Sequence, residues 1–304
     1  MGCPKSRELP KIAAAPYLVR VEKWHPNHPG KLSADQNAEA DARSRGEINA
    51  RARALKVLLG RKLPLMVGGA YAFARYTGIY RDTKDLDLYL RQPDALVALE
   101  ILAKQGWRTE RTDETWIYKA FRGPWFVDLL FSSGNGMSVV DDDWFRYAVP
   151  GEVFGQSTRL IPAEEMIWSK GFVLERERYD GADVAHLIKS RGPQLDWERL
   201  LRRFEGHWEV LLSHLLLYRY VYPSERTAVP NWVMERLLQR AEQTIEEGNW
   251  KSNVCRGPFL SRANYVLDVG DWGYRDGRAV EELERERQSD GTRPELESPR
   301  RSSG

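Results

Sequence analysis

Between Ile48 and Leu59 the apolar and alanine positions recur at helical spacing, and residues 63–67 then form a short unbroken apolar run that predicts a buried strand. Gly68 and Gly69 end that run, and residues 70–74 favour a helix. The glycine pair is therefore expected at a strand-to-helix turn, beside the free N–H groups of a helix start. Leu86, Leu88 and Leu90 alternate with Asp85, Asp87 and Tyr89, the period of a half-buried strand, so both carboxylates leave from one face. Asp94 is a candidate cap for a helix carrying Leu96, Val97, Leu99, Ile101 and Leu102 and ending near Gly106. Residues 115–121 and 125–131 are rich in aromatic and branched side chains and flank Arg122-Gly123-Pro124, which predicts a hairpin. After Pro162 helical spacing takes over, at 163–177, 180–190, 197–220 and 232–246.

These patterns predict an α+β protein in four parts. Residues 1–44 mix Pro, His and charge without a period and read as an extended arm. Residues 45–155 form a mixed-sheet domain, residues 156–275 a mostly α-helical domain, and residues 276–304, dominated by charge, Ser, Gly and Pro, a disordered tail. No repeat at solenoid period is present.

Composition narrows the function classes. Among 304 residues, 46 Lys and Arg oppose 44 Asp and Glu, a formal charge of +2, so no overall field calls for nucleic acid or membrane; such a partner would need a local basic patch. Cys3 and Cys255 are far apart and in no metal spacing, which suits a reducing compartment. The start carries no signal-peptide core and no run of about 18 apolar residues occurs, so the expectation is a cytoplasmic protein without a membrane partner.

The candidate chemistry lies in carboxylates. Acids at i and i+2 on one strand face are close enough to share a pair of metal ions. A wet strand face gives Asp85 and Asp87 the same alternation. Asp128 sits in an otherwise apolar run, 125–131, where an unpartnered charge costs several kcal/mol; it needs either a Lys or Arg partner or a metal. Lys170 shares a helical stripe with Met166, Ile167, Val173 and Leu174, and either snorkels to the edge or meets an anion in a cleft. Asp180 and Asp183 suit a helix cap and a first-turn acid, and Asp141-Asp142-Asp143 a solvated helix start. The 5 histidines form no zinc pattern, and neither a Gly-x-Ser-x-Gly nucleophile motif nor a dinucleotide fingerprint is present.

Val67-Gly68-Gly69, Lys84-Asp85-Leu86-Asp87-Leu88 and Val127-Asp128-Leu129, in this order, resemble the nucleotidyltransferase superfamily pattern over about residues 45–155. Arg81-Asp82-Thr83-Lys84 and Arg178-Tyr179-Asp180-Gly181-Ala182-Asp183 resemble bacterial stand-alone and toxin-type members, including the abortive-infection type. The resemblance implies catalytic, metal-holding roles for Asp85, Asp87 and Asp128, with Mg²⁺ or Mn²⁺ beneath a nucleoside triphosphate such as ATP. It implies triphosphate contacts from Gly68, Gly69, Arg81, Thr83, Lys84 and Lys170, and transfer of a nucleoside monophosphate to a hydroxyl acceptor on RNA, protein or a small molecule. A tRNA acceptor would suit Arg199, Arg202, Arg203 and Arg219 if they cluster. The alternatives are a non-catalytic nucleotide-binding module, half of a toxin–antitoxin pair with an antitoxin partner, and a metal-dependent phosphohydrolase, which normally adds histidines.

Overall fold

The computed structural model describes residues 34–81, 83, 85–247 and 253–289, and the fold below concerns these. Helix α1 (Ala34–Gly60) is followed by strand β1 (Met66–Val67), helix α2 (Gly69–Thr77), strand β2 (Asp87–Tyr89) and helix α3 (Gln92–Lys104). A meander of β3 (Arg108–Asp113), β4 (Ile117–Arg122) and β5 (Trp125–Leu130) comes next, then the short helix α4 (Asp142–Tyr147) and a second hairpin, β6 (Val149–Val153) and β7 (Gln156–Leu160). The sheet has seven strands in the order β3-β4-β5-β2-β1-β7-β6, with β2 parallel to β5, β1 parallel to β7, and the other neighbours antiparallel.

Alternation sets the faces of the central strands. Leu86, Leu88 and Leu90 are fully buried, as are Val127 and Leu129, each worth about 1.5–3 kcal/mol of apolar burial. Helices α1 and α3 pack against this part of the sheet. The intervening residues, Asp87 on β2 and Asp128 on β5, therefore emerge on the opposite face.

Helices α5 (Ala163–Gly171), α6 (Gly181–Arg191), α7 (Trp197–Arg203), α8 (Trp208–Val221) and α9 (Asn231–Glu247) follow the sheet. The chain then forms β8 (Val254–Cys255), α10 (Val266–Gly270), β9 (Arg275–Asp276) and α11 (Gly277–Ser289), with β8 and β9 paired in parallel. The α+β expectation, a mixed sheet followed by helices, matches this architecture. Helix α5 ends at Gly171, short of the expected residue 177. The expected helix over 197–220 is broken into α7 and α8 by a turn at Phe204–His207, where Gly206 weakens the helix and Phe204 is fully buried as a wedge.

Three expected boundaries fall elsewhere. The arm was expected to reach residue 44, but α1 begins at Ala34, because alanines at 38, 40 and 42 carry helix propensity beyond the proline-rich stretch. A division at 155 splits the turn between β6 and β7, which both belong to the main sheet. Disorder was expected from 276, yet 277–289 is helical. Asp276 accepts from the Arg278 backbone N–H at 2.9 Å and pairs with its guanidinium, and Glu281 meets His207 at 3.1 Å, so docking supplies the stability that mean composition does not reveal. Residues 1–33 and 290–304, the rest of the expected arm and tail, lie outside the described residues.

An ion network joins the helices to the sheet. Arg199 lies between Glu164 at 2.5 Å and Glu165 at 2.6 Å, and Arg203 bridges Glu165 at 3.2 Å and Asp141 at 2.6 Å. Burial pushes the Glu165 carboxyl up despite both guanidiniums, whereas Arg203 holds Asp141 below its usual range against the effect of burial. Asp141 also caps α4, accepting from the Asp143 and Trp144 N–H groups, so the Asp141-Asp142-Asp143 run is a helix start. Arg199 and Arg203, two of the four arginines considered for tRNA, are thereby paired with carboxylates inside the protein.

Candidate active site

The site forms where β1 ends and β2 begins, beside Asp128 within β5 and the first turn of α2. Asp87 and Asp128 are direct cross-strand partners in the parallel β2–β5 pair, and Asp85 precedes Asp87 on the same side. Asp85, Asp87 and Asp128 each offer an oxygen within 4.8 Å of the others, and among the described residues this is the one group of three or more His, Cys, Asp or Glu side chains arranged to meet on a metal ion.

The surroundings fix each carboxylate. Thr83 Oγ1 donates to Asp85 Oδ1 at 2.5 Å. Behind that loop the buried Arg51 of α1 donates to the carbonyls of Thr83 at 3.0 Å and Asp85 at 2.9 Å. Lys119 on β4 donates to Asp128 Oδ1 at 2.7 Å. Lys119 is the cation partner that the apolar strand around Asp128 called for, and an ammonium there serves equally a structural pair or a site awaiting more positive charge.

Asp87 has the least compensation. Burial, then repulsion from Asp85 and Asp128, pushes its carboxyl up from 3.8 to about 7, with Lys170 and Lys119 offsetting only part. Burial also raises Asp128, opposed by its bond to Lys119. Three carboxylates against one contacting ammonium form a cluster short of positive charge. Hard oxygen donors at this separation fit a divalent cation of the Mg²⁺ or Mn²⁺ type.

The glycine turn is sterically required. Gly69 has φ +52°, and a Cβ there would overlap the Asp87 carboxylate; a Cβ on Gly68 would overlap the Tyr89 ring. Gly68 donates to the Asp87 carbonyl at 3.0 Å and is the N-cap of α2, so bare backbone and a helix N-terminus stand beside the acids.

A cleft of about 730 Å³ opens over these groups. Along one wall, charges alternate: Arg81 meets Asp183 at 2.5 Å, Asp183 meets Lys170 at 2.8 Å, Lys170 meets Asp180 at 2.9 Å, and Asp180 meets Arg178 at 3.1 Å. Three cations and two anions leave this ladder positive. Lys170 and Arg178 hold Asp180 below its usual range although burial opposes them. Lys170 therefore faces the cleft rather than snorkelling away, and Asp180 serves these ion pairs while its side chain makes no cap hydrogen bond.

Of the residues expected in the site, Asp85, Asp87, Asp128, Gly69, Arg81 and Lys170 line this cleft, with Gly68 and Thr83 immediately behind. Lys84 lies outside the described residues. Lys119, Arg51, residues 132–138 and residues 258–263, which form a wall of the cleft, were not among the residues expected in the site. The Lys119–Asp128 pair was available from the hairpin, since counting outward from Arg122 opposite Trp125 places 119 opposite 128. His207 and His214 are engaged with Glu281 and the Gly171 carbonyl. No described helix is long and apolar enough to cross a membrane.

No curated protein matches the chain. Solved structures to which the chain is similar include the antibiotic-resistance factor ANT(2'')-Ia, at 17% identity over 56% of this chain and 97% of that one with a TM-score of 0.42. The lincosamide antibiotic adenylyltransferase LnuA is similar at 16% identity over 44% of this chain and 90% of that one, TM-score 0.33. The Megavirus polyadenylate synthase is similar at 16% identity over 54% of this chain and 40% of that one, TM-score 0.34. The family model described as "Uncharacterised nucleotidyltransferase" matches residues 34–221, from α1 through the triad to the end of α8, and the chain is a member of that nucleotidyltransferase family.

Proposed function

We propose that this nucleotidyltransferase moves a nucleoside monophosphate from a triphosphate to a hydroxyl acceptor, with Asp85, Asp87 and Asp128 holding Mg²⁺ or Mn²⁺ beneath the triphosphate. The observation that carries the reading is the three-carboxylate cluster, its oxygens within 4.8 Å of one another and short of positive charge. A divalent cation bound there supplies charge neutralisation at the phosphates. Thr83 orients Asp85 through its 2.5 Å hydrogen bond, and Arg51 anchors the loop that carries both. Gly68 and Gly69 admit the β- and γ-phosphates close to the start of α2, where partial positive charge favours anions. Arg81 and Lys170 extend that field from the ladder of ion pairs.

In the transfer the acceptor oxygen bonds to the α-phosphorus and the bond to the bridging oxygen breaks. Pyrophosphate departs with the electron pair. The hydroxyl proton passes to Asp128 and then to solvent, Asp128 being the acid already set opposite the Lys119 ammonium. The sheet part thus supplies the acids and the glycine turn, and the helical part supplies Lys170. The likeness to toxin-type members rests on Arg81, Arg178, Asp180 and Asp183, all on the cleft wall.

Incubation with α-labelled triphosphates, Mn²⁺ and RNA, protein and small hydroxyl acceptors tests the reading. Labelled product and pyrophosphate are expected, falling by on the order of 100-fold or more in Asp85→Asn and Asp87→Asn. No product with any acceptor, together with triphosphate binding that is independent of metal and of both acids, would leave a non-catalytic module in its place.

A further inference from the structure

Beyond the acids the cleft continues along the same faces of β4 and β5. Leu130 and Ser132 follow Asp128 at two-residue steps, and Ile117 precedes Lys119 by the same step. The floor thus passes from charge to apolar surface and then to hydroxyls over about 13 Å of strand. Trp116 stands at the far end with its indole against Gly134, where a Cβ would lie 3.5 Å from the ring. Asn135 Nδ2 donates to the Phe259 carbonyl at 2.7 Å and joins loop 132–138 to the wall at 258–263.

Charge differs sharply between the two ends. The acids lining the cleft are Asp85, Asp87, Asp128, Glu175, Asp180 and Asp183, all in the triad or on the segment after α5. The far arm, among the described residues, contributes no carboxylate. Its one charge is the exposed Arg262, which lies near enough to Asp113 and Asp276 to lower both carboxyls and still opens to the cleft. The acids nearest Trp116 in sequence do not line the cleft: Asp113 is held by Thr115 and by the Trp116 side chain, within reach of the Arg262 charge, and Glu114 by Tyr118. Ser133 and Asn135 satisfy each other and the loop backbone, while the buried Ser132 and Ser138 hydroxyls have no partner.

We propose that this arm receives the acceptor, and that the acceptor is an uncharged or anionic molecule presenting a flat ring to Trp116 rather than a polycation. The inference rests on the triad being the transfer site. A ring over the indole gains stacking and apolar burial, and Arg262 is placed to receive an anionic substituent. A polycation would find no carboxylate lining the arm, Asp113 being held by Thr115 and Trp116, and the acids beyond it are committed to the metal and to the ladder.

Calorimetry on the full chain, first loaded with Mn²⁺ and a non-hydrolysable triphosphate analogue, tests this with adenosine, adenosine monophosphate and tobramycin as neutral, anionic and polycationic probes. The two flat probes are expected to bind more tightly than tobramycin. Trp116→Ala weakens both by about tenfold or more, Trp116→Phe retains most of the affinity, and Arg262→Glu weakens the monophosphate alone, with analogue binding unchanged throughout. Equal or tighter tobramycin binding, no binding of any probe, or a loss that falls on the analogue instead of the probes overturns the inference while leaving the transfer site standing. Failure of wild-type protein to bind the analogue with Mn²⁺ refutes both.

Discussion

Asp87→Asn is expected to make the metal-free protein more stable while removing a metal-holding group. The folded protein raises the Asp87 carboxyl from 3.8 to about 7, so it binds the proton more tightly than the unfolded chain does. The sign follows: stability linked to this proton is fully present below about pH 4 and is lost as pH rises through about 7. About three pH units at 1.36 kcal/mol each set an upper limit near 4 kcal/mol above pH 7, and partial solvent screening reduces this to about 2–4 kcal/mol. The Asn side chain is nearly isosteric, and no side-chain hydrogen bond of Asp87 is lost among the described contacts. For a chain of this size the gain corresponds to about 4–8 °C in melting temperature. Thermal melts in chelator at about pH 5 and about pH 8.5 read it: the variant's advantage is largest in base and shrinks to about a third of that at pH 5, on its way to vanishing below about pH 4. A variant that is less stable at high pH, or a difference that ignores pH, refutes the account of Asp87 as an under-compensated charge.

Other outcomes follow from the same geometry. Apparent Mn²⁺ affinity, followed by electron paramagnetic resonance, rises by up to about tenfold per pH unit below 7 and levels above it, because Asp87 must shed its proton to bind. Gly69→Ala, which puts a Cβ into the Asp87 carboxylate at a positive φ, lowers the melting temperature and weakens Mn²⁺ binding by about tenfold or more. Arg199→Met leaves Glu164 and Glu165 without their shared cation and lowers stability by about 3–5 kcal/mol in denaturant titration, without a specific change in metal affinity. Lys170→Met unbalances Asp180 and Asp183, and calorimetry should show weaker triphosphate binding at an essentially unchanged Mn²⁺ affinity.

The acids were legible because their chemistry repeats with the strand period. Leu86, Leu88 and Leu90 fix which way Asp85 and Asp87 point, and the apolar neighbours of Asp128 show that its charge needs compensation. Their pairing in space, Asp87 opposite Asp128, depends on β2 lying beside β5, a long-range choice that no local pattern contains. The same holds for Arg51, whose partners lie 32 and 34 residues away, and for the wall at 258–263, joined to loop 132–138 across 124 residues. Helix α11 was hidden for a different reason: its composition is charged, and its order comes from Asp276 and His207 contacts rather than from a buried apolar stripe. Of the four arginines considered for tRNA, Arg199 and Arg203 have carboxylate partners 34 to 62 residues away that no local pattern reveals.

The central claim concerns where metal sits. A crystal soaked with Mn²⁺ and a non-hydrolysable triphosphate analogue, measured for anomalous scattering, should show manganese bound by Asp85, Asp87 and Asp128, with phosphate oxygens beside Gly68 and Gly69. Manganese absent from the triad while the analogue is bound elsewhere would contradict the account.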